Sequence, residues 1–163
     1  MNITPEYIAG FIDGEGYIGL VRKMDSPSKK SKGKDNHYGY YYTPVLKISQ
    51  TTKHDYVLKE ICNFIGYGIF WQSKKDYWIK SGHLNSNPVT SLEFRGMKRV
   101  IPIAKKLLPY LIVKKAQAEL IIKLEETQVE INNANREEIN KVRTDIYNQL
   151  KILNQRGLAE TKR

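Results

Sequence analysis

The chain has 163 residues, a formal net charge of +10 and a pI of about 9.6. That length suits one domain with a sizeable core, or one subunit of a dimer, and that charge suits a polyanionic partner. No apolar run is long enough to span a bilayer, no secretion signal opens the chain, and a single cysteine, Cys62, excludes an internal disulfide or a thiolate metal cluster.

The expectation is therefore an intracellular protein, not secreted and without a membrane partner. Cytoplasm, nucleoid and organelle all remain open.

Thr4 and Pro5 pair a hydroxyl N-cap with a proline at the first helical position and open a helix predicted to run to about Gly14. Inside it Ala9, Gly10, Asp13 and Gly14 bring small or short side chains to helical spacing. Glycine in an exposed helix costs roughly 1 kcal/mol against alanine, so two of them four apart imply a second helix backbone passing close by. The helix ends in Asp13-Gly14-Glu15-Gly16. Two carboxylates at a helix C-terminus are disfavoured unless a cation or a basic group stands nearby.

Tyr17 to Lys23 alternates as a strand, with Ile18 and Leu20 on one face and Gly19, Val21 and Lys23 on the other. Residues 24–37 form a basic loop carrying Lys29, Lys30, Lys32 and Lys34, suited to phosphate contacts. Tyr38 to Gln50 is a second strand, its core face marked by Leu46 and Ile48 and its other face by Thr43, Val45, Lys47 and Ser49. Pro44 predicts that one side of this strand is locally unpaired or bulged.

The stripe Val57, Leu58, Ile61, Cys62 and Ile65 marks a second helix over 55–65, closed by Gly66. A third strand follows from Ile69 to Ser73, extendable to Lys80, then a turn-rich stretch to Asn87 and a fourth strand from Val89 to Phe94. A third helix lies within Met97 to Leu108, where Pro102 makes it start late or kink. Two more helices span about Val113–Val129 and Arg136–Gln155. The last opens on an Asn135/Glu138 pair that resembles a capping box and carries the stripe Ile139, Val142, Ile146, Leu150 and Leu153.

The fold expected is α+β. An αββαββα core over about 1–115 is followed by a helical part over about 113–157 and a tail at 158–163, with one sheet face on the helices and the other wet.

Ile8-Ala9-Gly10-Phe11-Ile12-Asp13-Gly14-Glu15-Gly16 resembles the signature of the LAGLIDADG homing endonucleases. The departures are Ile for the first Leu, Phe for the second Leu, Gly for the second Ala and Glu for the last Asp. The resemblance implies a saddle-shaped antiparallel sheet seated in the DNA major groove. No second such run occurs, which implies the single-motif branch: a homodimer packed through the motif helices, with Ile8, Ala9, Gly10, Asp13 and Gly14 at the interface.

It also implies a divalent-metal-dependent double-strand DNA endonuclease. Such an enzyme cuts a long, near-palindromic site across the minor groove, leaves 3′ overhangs and is typically intron-encoded.

Glu15 matches the family's metal-ligating acid, and the Gly14 carbonyl stands beside it. Hard oxygen ligands of this kind suit Mg²⁺, with Mn²⁺ as a substitute. Asp13 is expected to fix the helix ends. Gln50 matches a polar position near the scissile phosphate. An alignment on Gln117-Ala118 puts Ala116 where the family carries its active-site lysine, a departure that leaves Lys115 or Lys114 to substitute.

Base reading is expected from Val21, Lys23, Thr43, Val45, Lys47, Ser49, Trp71 and Ser73, with Gly19 among them. Lys29, Lys30, Lys32, Lys34, Lys74 and Lys75 would grip phosphates. His37, His54 and His83 show no zinc spacing, and no phosphate-binding loop is present. Two alternatives stay open: a cofactor that binds intron RNA for splicing, as some members of the family do, and a basic nucleic-acid-binding module without catalysis.

Overall fold

The computed structural model describes residues 3–24, 40–73, 87–129 and 135–155. The basic loop with its four lysines, Tyr38, Lys74, Lys75, His37, His83, the third strand's extension to Lys80 and the 158–163 tail lie outside the described residues.

Helix α1 spans Pro5–Glu15, opened by Thr4, whose hydroxyl accepts from the Tyr7 N–H at 3.3 Å. It passes directly into strand β1, Gly16–Met24. Strand β2 covers Tyr40–Thr51 and leads through a short 3₁₀ turn into helix α2, Tyr56–Ile65. Gly66 closes α2 in the left-handed conformation, φ +92°, where a side chain would be strained. Strands β3, Ile69–Gln72, and β4, Val89–Arg95, complete one antiparallel sheet in the order β1-β2-β4-β3.

Helix α3, Met97–Leu107, α4, Lys115–Lys123, and α5, Arg136–Leu153, follow. The order αββαββα with C-terminal helices stands as expected. No described helix is long and apolar enough to cross a membrane.

Pro44 behaves as its chemistry requires. Its β1 side is paired opposite Leu20, while pairing with β4 begins only at Val45, so the missing N–H falls where no strand needs it. Its carbonyl accepts the Gly96 N–H at 3.0 Å.

Pro102 does not delay α3, which starts at Met97 and continues through it. The proline lies on the solvent side, so the carbonyl it leaves without an intrahelical donor can turn to water. The fourth helix is shorter than its pattern suggested, because its end tightens into a 3₁₀ turn, Leu124–Thr127. Asn135 precedes α5 without a capping bond from its own side chain.

Ile8, Ile12, Ile18, Leu46, Ile48, Leu58, Ile61, Leu92, Phe94, Ile101, Leu107 and Ile121 form the fully enclosed centre of the core, beneath one face of the sheet. Helix α5 joins it through Ile146 and Leu150 and also buries Ile139, while Val142 and Leu153 of its predicted stripe are exposed. Three polar ties fix this helix. Tyr42 Oη shares a 2.8 Å hydrogen bond with Thr144 Oγ1, Asn154 Nδ2 donates to the Ile18 carbonyl at 2.9 Å, and Arg143 donates to the Thr127 carbonyl at 2.8 Å.

Candidate active site

The passage from α1 to β1 has no linking residue, and Gly16 is what permits it. A β-carbon there would stand 2.6 Å from the Ile12 carbonyl oxygen, which already accepts the Gly16 N–H. The chain therefore turns within one residue and leaves Glu15 exposed at the helix end. Among the described residues the Glu15 side chain has no hydrogen bond or ion pair. Gly14 precedes it in the last turn, where helix carbonyls lack intrahelical partners.

Asp13 faces the other way. Its two carboxylate oxygens accept backbone N–H groups from Ile112 and Lys114, each at 2.8 Å, and its own carbonyl accepts from the Lys114 ammonium. The carboxylate thus ties the end of α1 to the start of α4, and the ammonium offsets the negative end of the α1 dipole. Asp13 thus ties the helix ends together, the structural role expected of it. Of the two lysines left open from sequence, Lys114 reaches the α1 C-terminus, whereas Lys115 is exposed at the first turn of α4.

Gln50 lies at the same end of the sheet: Gly16 pairs with Ile48, and Gln50 is two residues further along β2. Its side-chain oxygen accepts the Thr51 N–H at 2.8 Å.

Of the five residues expected at a dimer interface, Ile8 and Ala9 are not available. Both are fully buried in the chain's own core, because the helical period turns positions 8, 9 and 12 toward the sheet. Gly10 and Gly14 point outward into open space beside the exposed Tyr7, and Asp13 is half-buried in its tie to α4.

The strand register places Gly19, Val21, Lys23, Thr43, Val45, Lys47, Ser49 and Trp71 on the sheet face away from the helices, as alternation predicted. Two of them are nonetheless covered. Val45 is only 4% exposed, and Gly19 lies beneath the Tyr17 ring, whose hydroxyl pKa is raised by burial and by Tyr147. Trp71 is 58% exposed, and Ser73 is half-buried, its hydroxyl accepting the Val89 N–H at 2.8 Å.

Sequence reasoning passed over β4, whose outward residues Ser91, Glu93 and Arg95 run down the middle of this face between β2 and β3. The same two-residue period that revealed β1 and β2 separates them from Leu92 and Phe94. Ser91 and Ser49 share a 2.8 Å hydrogen bond, and Glu93 pairs with Arg95.

The LAGLIDADG endonuclease family model matches residues 8–117. A comparison with curated proteins finds no match. Among solved structures, the homing endonuclease I-CvuI bound to an I-CreI target is 20% identical, with a TM-score of 0.67 over 96% of this chain and 85% of that one. The archaeal intron-encoded homing endonuclease I-Vdi141I bound to DNA is 20% identical, with a TM-score of 0.66 over 94% of this chain and 85% of that one. The homing endonuclease I-TnaI is 19% identical, with a TM-score of 0.60 over 94% and 97% of the two chains. With the motif on α1, the antiparallel sheet of order β1-β2-β4-β3 behind it and the family match over residues 8–117, this chain belongs to the LAGLIDADG endonuclease family.

Proposed function

We propose that this protein is a site-specific double-strand DNA homing endonuclease. It works as a homodimer and cuts a long, near-palindromic site across the minor groove to leave 3′ overhangs, and its gene lies within an intron. The observation that carries this reading is the state of Glu15. It is an exposed carboxylate without a partner among the described residues, held at a helix end by a one-residue turn and flanked by the Lys114 ammonium on Asp13.

Among the described residues no cluster of three or more acidic, histidine or cysteine groups could hold an ion by itself. The donors at the α1 C-terminus are the Glu15 carboxylate and the Gly14 carbonyl. Both are hard oxygens of the kind Mg²⁺ or Mn²⁺ accepts alongside water and phosphate oxygens. A second copy packed along the outward Gly10/Gly14 face would bring a second Glu15 close, and the two Glu15 carboxylates with the Gly14 carbonyls would then hold a divalent ion. Such an ion, when bound, supplies charge neutralisation and an activated water.

The chain's own parts do the rest. Lys114 places positive charge beside the phosphate, Gln50 orders the solvent at the strand end, and Lys23, Lys47, Thr43, Ser49 and Trp71 meet the groove from the outward sheet face.

The test is incubation of the protein with duplex DNA carrying the uninterrupted insertion site, with Mg²⁺ and with EDTA. Mg²⁺-dependent double-strand cleavage leaving 3′ overhangs is expected. Tight binding of the duplex without cutting would leave a DNA-binding protein. Preference for intron RNA over that duplex would overturn the reading.

A further inference from the structure

We propose that Arg95, held in place by Glu93, reads a guanine in each half of the DNA target; this rests on the outward sheet face being the DNA-contacting surface. The two residues are two apart on β4, so both side chains project from that face. The Glu93 side chain is only 6% exposed, and a carboxylate so desolvated needs a partner. That partner is Arg95, which donates through Nε and leaves its side chain 43% exposed.

A guanidinium has five N–H donors in a rigid fork. With Nε committed to Glu93, the Nη1/Nη2 edge remains, without another partner among the described residues. Two parallel donors on that edge match guanine O6 and N7, the pairing most often used to specify guanine in the major groove.

The position favours a base over a phosphate. Arg95 ends β4, but it pairs in register with Val45, which pairs with Gly19, so its row crosses β2 and β1 at mid-strand. Gly19 and Val45 are both buried and carry no hydrogen-bonding side chain. Beside the Tyr17 hydroxyl that lies over Gly19, Arg95 supplies the charged side chain of this row. Glu93 acts through it: the carboxylate neutralises part of the charge that would otherwise draw Arg95 to a phosphate, and it fixes the plane of the fork.

The experiment selects binding sites from a pool of duplex oligonucleotides with randomised sequence, using the wild-type protein, Arg95→Ala, Arg95→Lys and Glu93→Gln. Affinity for the wild-type site is then measured across salt concentrations. The expected result is a guanine preference at one position per half-site. Arg95→Ala abolishes it, with about 5- to 150-fold weaker binding of the selected site and other positions unchanged.

Arg95→Lys keeps the charge and the salt dependence but not the full preference. Glu93→Gln blurs the preference while salt dependence stays or rises. Thermal melts of Arg95→Lys and Glu93→Gln check that both fold. A uniform loss of affinity on every sequence in Arg95→Ala, with the salt slope reduced by about one, would identify a phosphate contact and overturn the assignment. A wild-type protein that selects a site without an Arg95-dependent guanine overturns this inference alone. One that selects no duplex sequence overturns the nuclease reading as well.

Discussion

Asp13 and Lys114 hold each other twice: the Lys114 N–H donates to the Asp13 carboxylate at 2.8 Å, and the Lys114 ammonium donates to the Asp13 carbonyl. One acidic side chain thereby joins two helices that are about a hundred residues apart in sequence. It also sets the end of α1 on which Glu15 stands. Removing the carboxylate strands two N–H donors, those of Ile112 and Lys114. Asp13→Ala should cost about 1–3 kcal/mol, read as a lower midpoint in urea unfolding with an unchanged slope. An unchanged midpoint would mean that water replaces the tie without loss.

Gly10 and Gly14 test the homodimer. Both are exposed helical glycines with nothing near their missing β-carbons, so within one chain alanine fits and should add up to about 1 kcal/mol each. Beneath a partner helix the same methyl groups would force the backbones apart. The double variant Gly10→Ala/Gly14→Ala is expected to sediment as a monomer at concentrations where the wild-type protein is a dimer. A variant that stays dimeric with equal affinity would place the interface elsewhere.

Gln117 is buried, and its Oε1 has no partner among the described residues. It lines a small pocket with Gly16, Tyr17, Val113, Lys114, Leu153 and Asn154, next to the α1–β1 turn. An unsatisfied buried carbonyl costs about 1–3 kcal/mol, so Gln117→Leu should melt at or above the wild-type temperature. A clear fall in melting temperature would show that ordered water in this pocket satisfies the amide.

Burial raises the pKa of the Cys62 thiol. A raised pKa leaves less thiolate at any given pH, and the thiolate is the reacting species. Cys62 should therefore alkylate with iodoacetamide more slowly at pH 8 than the same residue in the urea-unfolded chain. Equal rates in the two states would contradict its place against the core.

Much of the frame was legible because local rules and burial agree. The Thr4-Pro5 opening, the turn at Gly66, and the alternation that sends Ile18, Leu20, Leu46 and Ile48 inward all follow from side-chain chemistry and period. Pro44 announced that one side of β2 lacks a partner there, and that side is the one toward β4.

What the sequence hid depends on contacts made between distant segments. That Lys114 and not Lys115 meets α1 follows from where Asp13 holds the α3–α4 connection, which no spacing reveals. Ile8 and Ala9 were assigned to an interface because the motif lists them together, but the helix angle sends them inward. Val45 sits on the predicted face and is still covered, which alternation alone does not reveal. In α5 a uniform apolar period overstated the buried stripe, leaving Val142 and Leu153 in solvent.

The central claim is that Glu15 carries the chemistry while other parts of the chain hold the DNA. The most direct measurement compares wild-type protein and Glu15→Gln on the same target duplex, recording both binding in Ca²⁺ and double-strand cleavage in Mg²⁺. Glu15→Gln is expected to bind the duplex as wild type does and to lose more than about 100-fold in cleavage rate, since removing a metal-binding carboxylate exceeds the usual cost of disturbing its supporting groups. Cleavage at the wild-type rate by Glu15→Gln would contradict it.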